Sequence, residues 1–483
     1  MFNSYFFILL FLPVCIFVYF FLNHFRWYTL GKVFLLGMSL LFYGYFDIKY
    51  LILLCISVII NYALSRRMMA CSSQKPRKAI LATSLFINLG ILFYFKYMDF
   101  FLSNINHVFH TEYSLWRIAL PLGISFFTFQ QIAYSIDVYK EEYKGCSFLD
   151  YALCITFFPK TTQGPIIVAG ELLPQFSDTG RKKIDWDNMT QGVYIFTLGL
   201  AKKVLLADVF GSAANVGYGN IDALDATNAL ITMLAYTMQI YFDFSGYSDM
   251  ALGLGKMLNI ELPVNFDSPY KALTITDFWK RWHISLTRFF TKYVYIPLGG
   301  NRKGNRRTYI NMLVVFLLSG LWHGASWNFV FWGACHGIFS VITRRFRMFF
   351  EKLHPALNWM LTFGFVNVTW VFFRAETLPS ALRLLNRIVR FNFGTVWQDI
   401  LACFRTPEIV FFLKRTPVET VYPYITMTVF FIGAFLIILG SRNAVEKMRS
   451  FKPTKINAII TAGLLVWCIF SLSGISTFVY SNF

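Results

Sequence analysis

Charge is what this sequence has little of. Only 14% of its 483 residues are Asp, Glu, Lys or Arg, against about 25% in ordinary soluble domains. A soluble chain of this length cannot cover its surface with so few charges. Disorder is excluded as well, because disordered chains are poor in hydrophobic residues and 56% of this chain is hydrophobic. Carboxylates are scarcest of all, 25 against 44 Lys and Arg, which leaves a net charge of +19. Paired cysteines are missing too. The eight Cys stand at 15, 55, 71, 146, 154, 335, 403 and 468, with no CxxC among them. That scatter speaks against a disulfide framework and a zinc site, and the Cys inside apolar runs read as buried thiols. The opening MFNSYFFILLFLPVCIFVYFFLNHF lacks a basic leader and a small-residue cleavage signature. Tyr5–Leu22 therefore reads as a retained transmembrane helix and not as a removable signal.

What is present is apolar and aromatic: 55 Phe, 26 Tyr and 12 Trp. Such rings suit both the bilayer core and its interfacial belts. The composition is that of a polytopic membrane protein, and Lys and Arg gathered in cytoplasmic loops account for the positive charge without nucleic acid. Candidate spans are Tyr5–Leu22, Lys32–Phe46, Tyr50–Leu64, Ala79–Phe95, Ile118–Ile136, Val193–Val209, Asn228–Tyr247, Tyr309–Cys335, Leu357–Phe373, Val421–Gly440 and Ile456–Leu472. Some are shorter than the ~20 residues a perpendicular helix needs, so oblique or half-helices are expected. The expectation is an all-α chain of about 10–12 membrane-embedded helices, with residues 1–483 forming one transmembrane domain. Arg66, Arg67, Lys75, Arg77 and Lys78 place Ser65–Lys78 in the cytoplasm, which puts the N-terminus and Asp99–Arg117 outside and Asp137–Leu149 inside. In Leu149–Phe176, Pro159 and Gly164-Pro165 break an apolar run, so the segment reads as a re-entrant or interfacial element or as a connecting loop.

Most of the polar chemistry lies between Tyr236 and Gly337. Asp243 and Asp249 fall in or beside an aromatic helix, where a carboxylate costs about 2.5–3.5 kcal/mol and faces a cavity or an interior partner. Thr276-Asp277 reads as a helix start, with Asp277 near the positive end of the dipole. Aromatic and basic residues then mingle from Trp279 through Lys292 in the manner of an interfacial helix, ended by Pro297 and Gly299-Gly300. The loop Asn301–Arg307 carries four bases and reads as cytoplasmic. From Thr308 to Thr343 no residue is charged, a run of about 54 Å if helical throughout. Basic pairs flank both ends, so a tilted long helix or a break near Gly320 or Gly324 is expected. His323 stands mid-run, where an ionisable group is expensive, among Gly320, Gly324, Ala325 and Ser326, which permit close approach. His283 lies 40 residues upstream. His336 reads as structural, and His24, His107, His110 and His354 as loop residues.

The quoted motifs give this pattern a family. PLGISFFTFQQIAYSIDVYK (121–140), FFPKTTQGPI (157–166), GLAKKVLLAD (199–208), YFDFSGYSDMALGLGKMLNIELPVNF (241–266), DFWKRWHISLTRF (277–289), YIPLGGNRKG (295–304) and SGLWHGASWNFVFWGACHG (319–337) together resemble the membrane-bound O-acyltransferases, in their bacterial polysaccharide O-acetylating branch. The resemblance covers about residues 120–340. It departs at 157–165, where a more apolar FFPQLIAGP-like segment is expected. It implies an all-α fold with re-entrant or broken helices around a central funnel. It implies that His323, in WHG, is the signature histidine and that His283, in FWKRWH, holds the second polar position.

Acyl transfer from a thioester to a hydroxyl needs a base, and His323 suits that role; His283 would supply or orient the donor to the oxyanion. The acyl source would be cytoplasmic acetyl-CoA or another phosphopantetheine thioester, with no bound cofactor and no metal. Arg281 and Arg288 are candidates to meet its phosphates, unless they only face lipid headgroups. The implied acceptor is a cell-envelope or secreted polysaccharide, reached in a bacterial inner membrane with a periplasmic or surface acetyltransferase partner. The other readings are a transporter, which more often pairs broken helices in two halves, and a non-catalytic scaffold of an exopolysaccharide secretion complex.

Overall fold

The computed structural model describes residues 2–405, 418, 421–472 and 478. Among them every regular element is helical, and the one β contact is an isolated antiparallel bridge between Phe266 and Trp282. The chain divides into two compact units, Met1–Phe196 with Met250–Val264, and Thr197–Asp249 with Asn265–Val479. All eight cysteines are free thiols.

The first unit holds α1 (Leu12–His24), α2 (Tyr28–Gly44), α3 (Ile48–Ala70), α4 (Gln74–Leu92), α5 (Met98–Phe109), α6 (Ile124–Tyr139), α7 (Phe148–Thr156), α8 (Ala169–Ser177) and most of α9 (Trp186–Ala201). Its packing is inverted relative to a soluble protein. Phe17, Ile59 and Phe86 are 70%, 55% and 79% exposed. The buried seams of α3, α4 and α6 instead carry Ser and Asn. Asn88 Nδ2 donates to Asn61 Oδ1 at 2.6 Å, Ser84 and Ser135 hydroxyls meet at 2.9 Å, and Gln131 Nε2 donates to Ser57 Oγ at 3.0 Å. Small polar side chains bonding across helices beneath an apolar exterior are what a lipid solvent selects. The run Ile118–Ile136 is helical only from Ile124, because Pro121 and the left-handed Gly123 (φ +70°) precede it.

The Pro/Gly-broken segment is the core of this unit. Residues 151–167 are all buried. Phe158 N donates to Ser39 Oγ at 3.2 Å, and Thr161 Oγ1 donates to Phe157 O at 2.7 Å. The Lys160 ammonium donates to Gln130 Oε1. A Cβ on Gly164 would lie 2.2 Å from Lys160 Cα, so only glycine fits that turn. Non-helical backbone is tolerated here because protein surrounds it.

The second unit begins in α9. A π-helical turn, Lys202–Ala207, leads into α10 (Asp208–Gly219). Then follow α11 (Ala226–Met257), which belongs to this unit through Asp249, α12 (Ile275–Arg281), α13 (Ile284–Phe290), α14 (Gly304–His323), α15 (Trp327–Arg345), α16 (Arg347–Lys352), α17 (Pro355–Arg374), α18 (Leu378–Val389), α19 (Gln398–Ala402), α20 (Tyr422–Phe435), α21 (Ala444–Arg449) and α22 (Lys455–Phe470). The uncharged run Thr308–Thr343 is two helices with a break at Gly324–Ser326. They form an antiparallel hairpin that glycines hold tight. A Cβ on Gly320 would fall 2.2 Å from Phe329 O, and one on Gly333 2.4 Å from Phe316 O. Folding back puts Arg306-Arg307 and Arg344-Arg345 at the same end of the hairpin, which satisfies the positive-inside rule at both ends.

Five described helical stretches are long and apolar enough to cross a bilayer: Phe7–His24, Ile48–Ala70, Gln74–Phe109, Pro355–Arg374 and Tyr422–Gly440. Tyr28–Gly44 and Lys455–Phe470 are apolar but shorter. Val193–Val209 falls outside this set because it carries Lys202, Lys203 and Asp208 through a π turn.

Candidate active site

The site is built by a short break and a helix end, both in the second unit. Thr274, not Thr276, caps α12: its side chain accepts from Asp277 N at 3.2 Å, which leaves Asp277 in the first turn. The basic-aromatic stretch is not one helix. It breaks at Trp282-His283, where residues 265–267 run alongside 281–284. Asp267 N donates to Arg281 O and Ile284 N to Asn265 O, each at 3.0 Å. His283 then takes a left-handed conformation (φ +46°, ψ 52°) at the start of α13. For a non-glycine residue that costs on the order of 1–3 kcal/mol, and such strain concentrates at functional positions.

The break buries the His283 imidazole completely. Its Nδ1 lies 3.4 Å from Asn265 Oδ1, which also accepts from Ser285 N at 3.1 Å and Ser285 Oγ at 2.7 Å. The edge of Phe244 packs on the ring at 4.8 Å between centroids. Burial pushes the imidazole pKa down to about 3, so His283 is neutral across the physiological range.

His323 is the last residue of α14, beside the extended Gly324, and is 2% exposed. Trp322, Trp332 and Phe373 surround its ring at 4.9, 5.2 and 5.2 Å, and the His283 ring stands 6.4 Å away. Two histidines 40 residues apart in sequence are thus neighbours in an aromatic, water-poor setting. A Cβ on Gly324 would lie 2.1 Å from Phe329 Cε2, which explains the glycine after His323.

The remaining expected residues separate. His336 also touches Trp332, but its Nδ1 accepts from Trp279 Nε1 at 3.2 Å inside an aromatic cage. His354 caps α17 by accepting from Ala356 N. Arg281 is held by Asp277 at 2.9 Å and by Asp267 O at 3.3 Å. Arg288 is half-buried in the last turn of α13. Asp243 and Asp249 find partners that sequence spacing did not reveal. Lys203 Nζ is 2.6 Å from Asp243 and 2.8 Å from Asp208, and Lys202 Nζ is 2.6 Å from Asp249. The π turn aims both lysines at α11. Asn265 is the other residue missed; it is visible only once the Phe266–Trp282 bridge sets it against His283.

Comparison with known proteins identifies the family. Residues 107–380 match the description of MBOAT, the membrane-bound O-acyltransferase family. A peptidoglycan O-acetyltransferase of Helicobacter pylori is 38% identical over 100% of this chain and 97% of its own length. A probable alginate O-acetylase AlgI of Pseudomonas aeruginosa is 37% identical over 82% of this chain and 76% of its own length. A teichoic acid D-alanyltransferase of Streptococcus thermophilus is 30% identical over 46% of this chain and 56% of its own length.

Proposed function

Because the chain belongs to the membrane-bound O-acyltransferase family and is a multi-pass membrane O-acyltransferase, we propose that it O-acetylates peptidoglycan from the bacterial inner membrane, with His323 as the general base. The observation that carries the residue assignment is the buried His323–His283 pair, 6.4 Å between ring centroids. What favours peptidoglycan over an alginate-like exopolysaccharide is the likeness to a peptidoglycan O-acetyltransferase along the whole chain.

The acyl donor in this reading is a cytoplasmic thioester, acetyl-CoA or another phosphopantetheine carrier. His323 accepts the proton of the attacking hydroxyl as its oxygen bonds to the thioester carbonyl carbon. The carbonyl oxygen becomes an oxyanion, and neutral His283, whose one N–H faces the Asn265 carbonyl oxygen, fixes the group that donates a hydrogen bond to it. Collapse breaks the carbon–sulfur bond, and the proton on His323 passes to the departing thiolate. Arg281 and Arg288 meet the donor's phosphates; Arg281 is 34% exposed and keeps guanidinium N–H groups beyond those held by Asp277 and Asp267. A periplasmic or surface partner completes delivery to the polysaccharide.

The test compares wild type, His323→Ala and His283→Ala in cells at matched membrane levels, reading ester-linked acetate on isolated peptidoglycan and on secreted polysaccharide. Loss of peptidoglycan acetate in His323→Ala supports the assignment. Unchanged acetate in that variant removes His323 from the chemistry. Acetate lost only from secreted polysaccharide moves the acceptor to that polymer.

A further inference from the structure

A cavity of about 670 Å³ lies within the second unit, and neither His283 nor His323 lines it. That volume is in the ~300–1,000 Å³ range of small-molecule sites. Its lining carries four cations, Lys202, Arg405, Arg442 and Lys447, against one carboxylate, Asp208. Lys202 is taken by Asp249 at 2.6 Å, and Asp208 by Lys203 at 2.8 Å. Among the described residues, Arg442 and Lys447 have no carboxylate within salt-bridge reach. Lys447 is half-buried, and burial, then the nearby Lys202 ammonium, push its pKa down against the opposing pull of the Asp249 carboxylate.

Most of the remaining lining is apolar, and it continues away from these bases. Ser441–Lys447 directly follows the membrane-spanning stretch Tyr422–Gly440, so Arg442 and Lys447 stand where a span leaves the hydrocarbon. Ile437 and Phe430 lie back along that span. From Arg442 to Phe430 a helix covers about 18 Å, close to the ~15 Å half-thickness of a bilayer core. Trp467 and Phe470 form the facing wall and are 56% and 82% exposed, so the cavity opens where lipid covers the protein. A soluble phosphate compound would use the basic end and leave this wall bare.

We propose that the cavity binds an anionic phospholipid, its phosphate held by Arg442 and Lys447 and its acyl chains lying along Ile437, Phe430, Trp467 and Phe470. The site is separate from the histidine pair, so it stands or falls independently of the acetylation reading.

The test is lipid binding to the purified full-length protein in mild detergent, followed by native mass spectrometry. Phosphatidylglycerol, phosphatidylcholine and inorganic phosphate are the three probes. The expected result is one retained phosphatidylglycerol per chain, bound at least tenfold more weakly by the double variant Arg442→Gln/Lys447→Gln and held by Lys447→Arg, since charge-assisted phosphate contacts supply roughly that much affinity. Trp467→Ala, which removes wall but no charge, should weaken binding several-fold. Size-exclusion profiles and melting points establish that each variant is folded. If the double variant does not insert, Arg442→Gln alone and Trp467→Ala decide the matter. Equal binding of phosphatidylcholine, or full retention of phosphatidylglycerol by the charge variants, overturns the proposal. Displacement of the lipid by an equal concentration of inorganic phosphate overturns it in favour of a soluble phosphate ligand.

Discussion

Adding one methyl group at Gly320 should disable this protein more than its size suggests. The new Cβ would sit 2.2 Å from Phe329 O, roughly 1.2 Å short of the 3.4 Å at which ordinary contact begins. The obstacle is backbone, and Gly333 Cα stands behind it at 3.2 Å, so no side chain can swing aside. Relief requires α14 and α15 to separate by about an ångström, and overpacking of that kind costs about 1–3 kcal/mol. His323 ends the same helix three residues later, so the displacement reaches the imidazole. A misplacement of about 1 Å at a reacting group can cost on the order of a hundredfold in rate. Gly320→Ala is therefore expected to lower the melting point of the detergent-solubilised protein and to reduce polysaccharide acetate far more than the protein level falls. Gly364→Ala is the control: it lies on α17, where a Cβ would meet nothing within 4 Å. It should be neutral or stabilise by up to about 1 kcal/mol through helix propensity. Wild-type stability and acetate in Gly320→Ala would refute the tight-hairpin argument.

Three further outcomes follow from the same geometry. Lys203→Met removes the ammonium 2.6 Å from the buried Asp243 and should cost about 3–5 kcal/mol; adding Asp243→Leu should recover part of that in thermal unfolding. His283 has its pKa held at about 3, below the usual 6.5, so the unfolded chain takes up the proton first. The associated stability is complete above pH 6.5 and is lost as pH falls toward 3. At pH 5 the loss is about 2 kcal/mol, so melting points measured from pH 7 to 4 should fall more steeply in wild type than in His283→Asn. Trp279→Phe deletes the donor to His336 and should cost about 1 kcal/mol of stability while retaining most acetate transfer.

The legible part of the site was the part written locally. His323 stood out because an uncharged run isolates it among small residues, and the hairpin break falls at Gly324, one of the two glycines expected to provide it. His283 was legible through its motif, but its left-handed backbone was not, because that conformation depends on pairing with residues 265–267. Asn265 is 18 residues away in sequence, and nothing in local spacing ties it to His283. Lys202 and Lys203 sat inside an apolar run that reads as an ordinary span. Their partners are 47 and 40 residues on, and only the π turn decides which face the lysines present. The spans were visible as hydropathy because lipid contact requires a continuous apolar exterior, whereas the polar seams that pack them come from single Ser and Asn residues.

The buried, broken segment from Phe157 to Ile167 also bears on how the protein is made. Its backbone does not satisfy its own hydrogen bonds as a helix would, so it cannot rest in lipid as an independently inserted piece. Among the partners that receive it are Ser39, Gln130 and the backbone around Gly123. These are all encoded upstream. When the ribosome delivers Phe157, the helices that carry these hydrogen-bonding partners have already been synthesised, so the order of synthesis lets this part of the cradle form before the segment that needs it emerges.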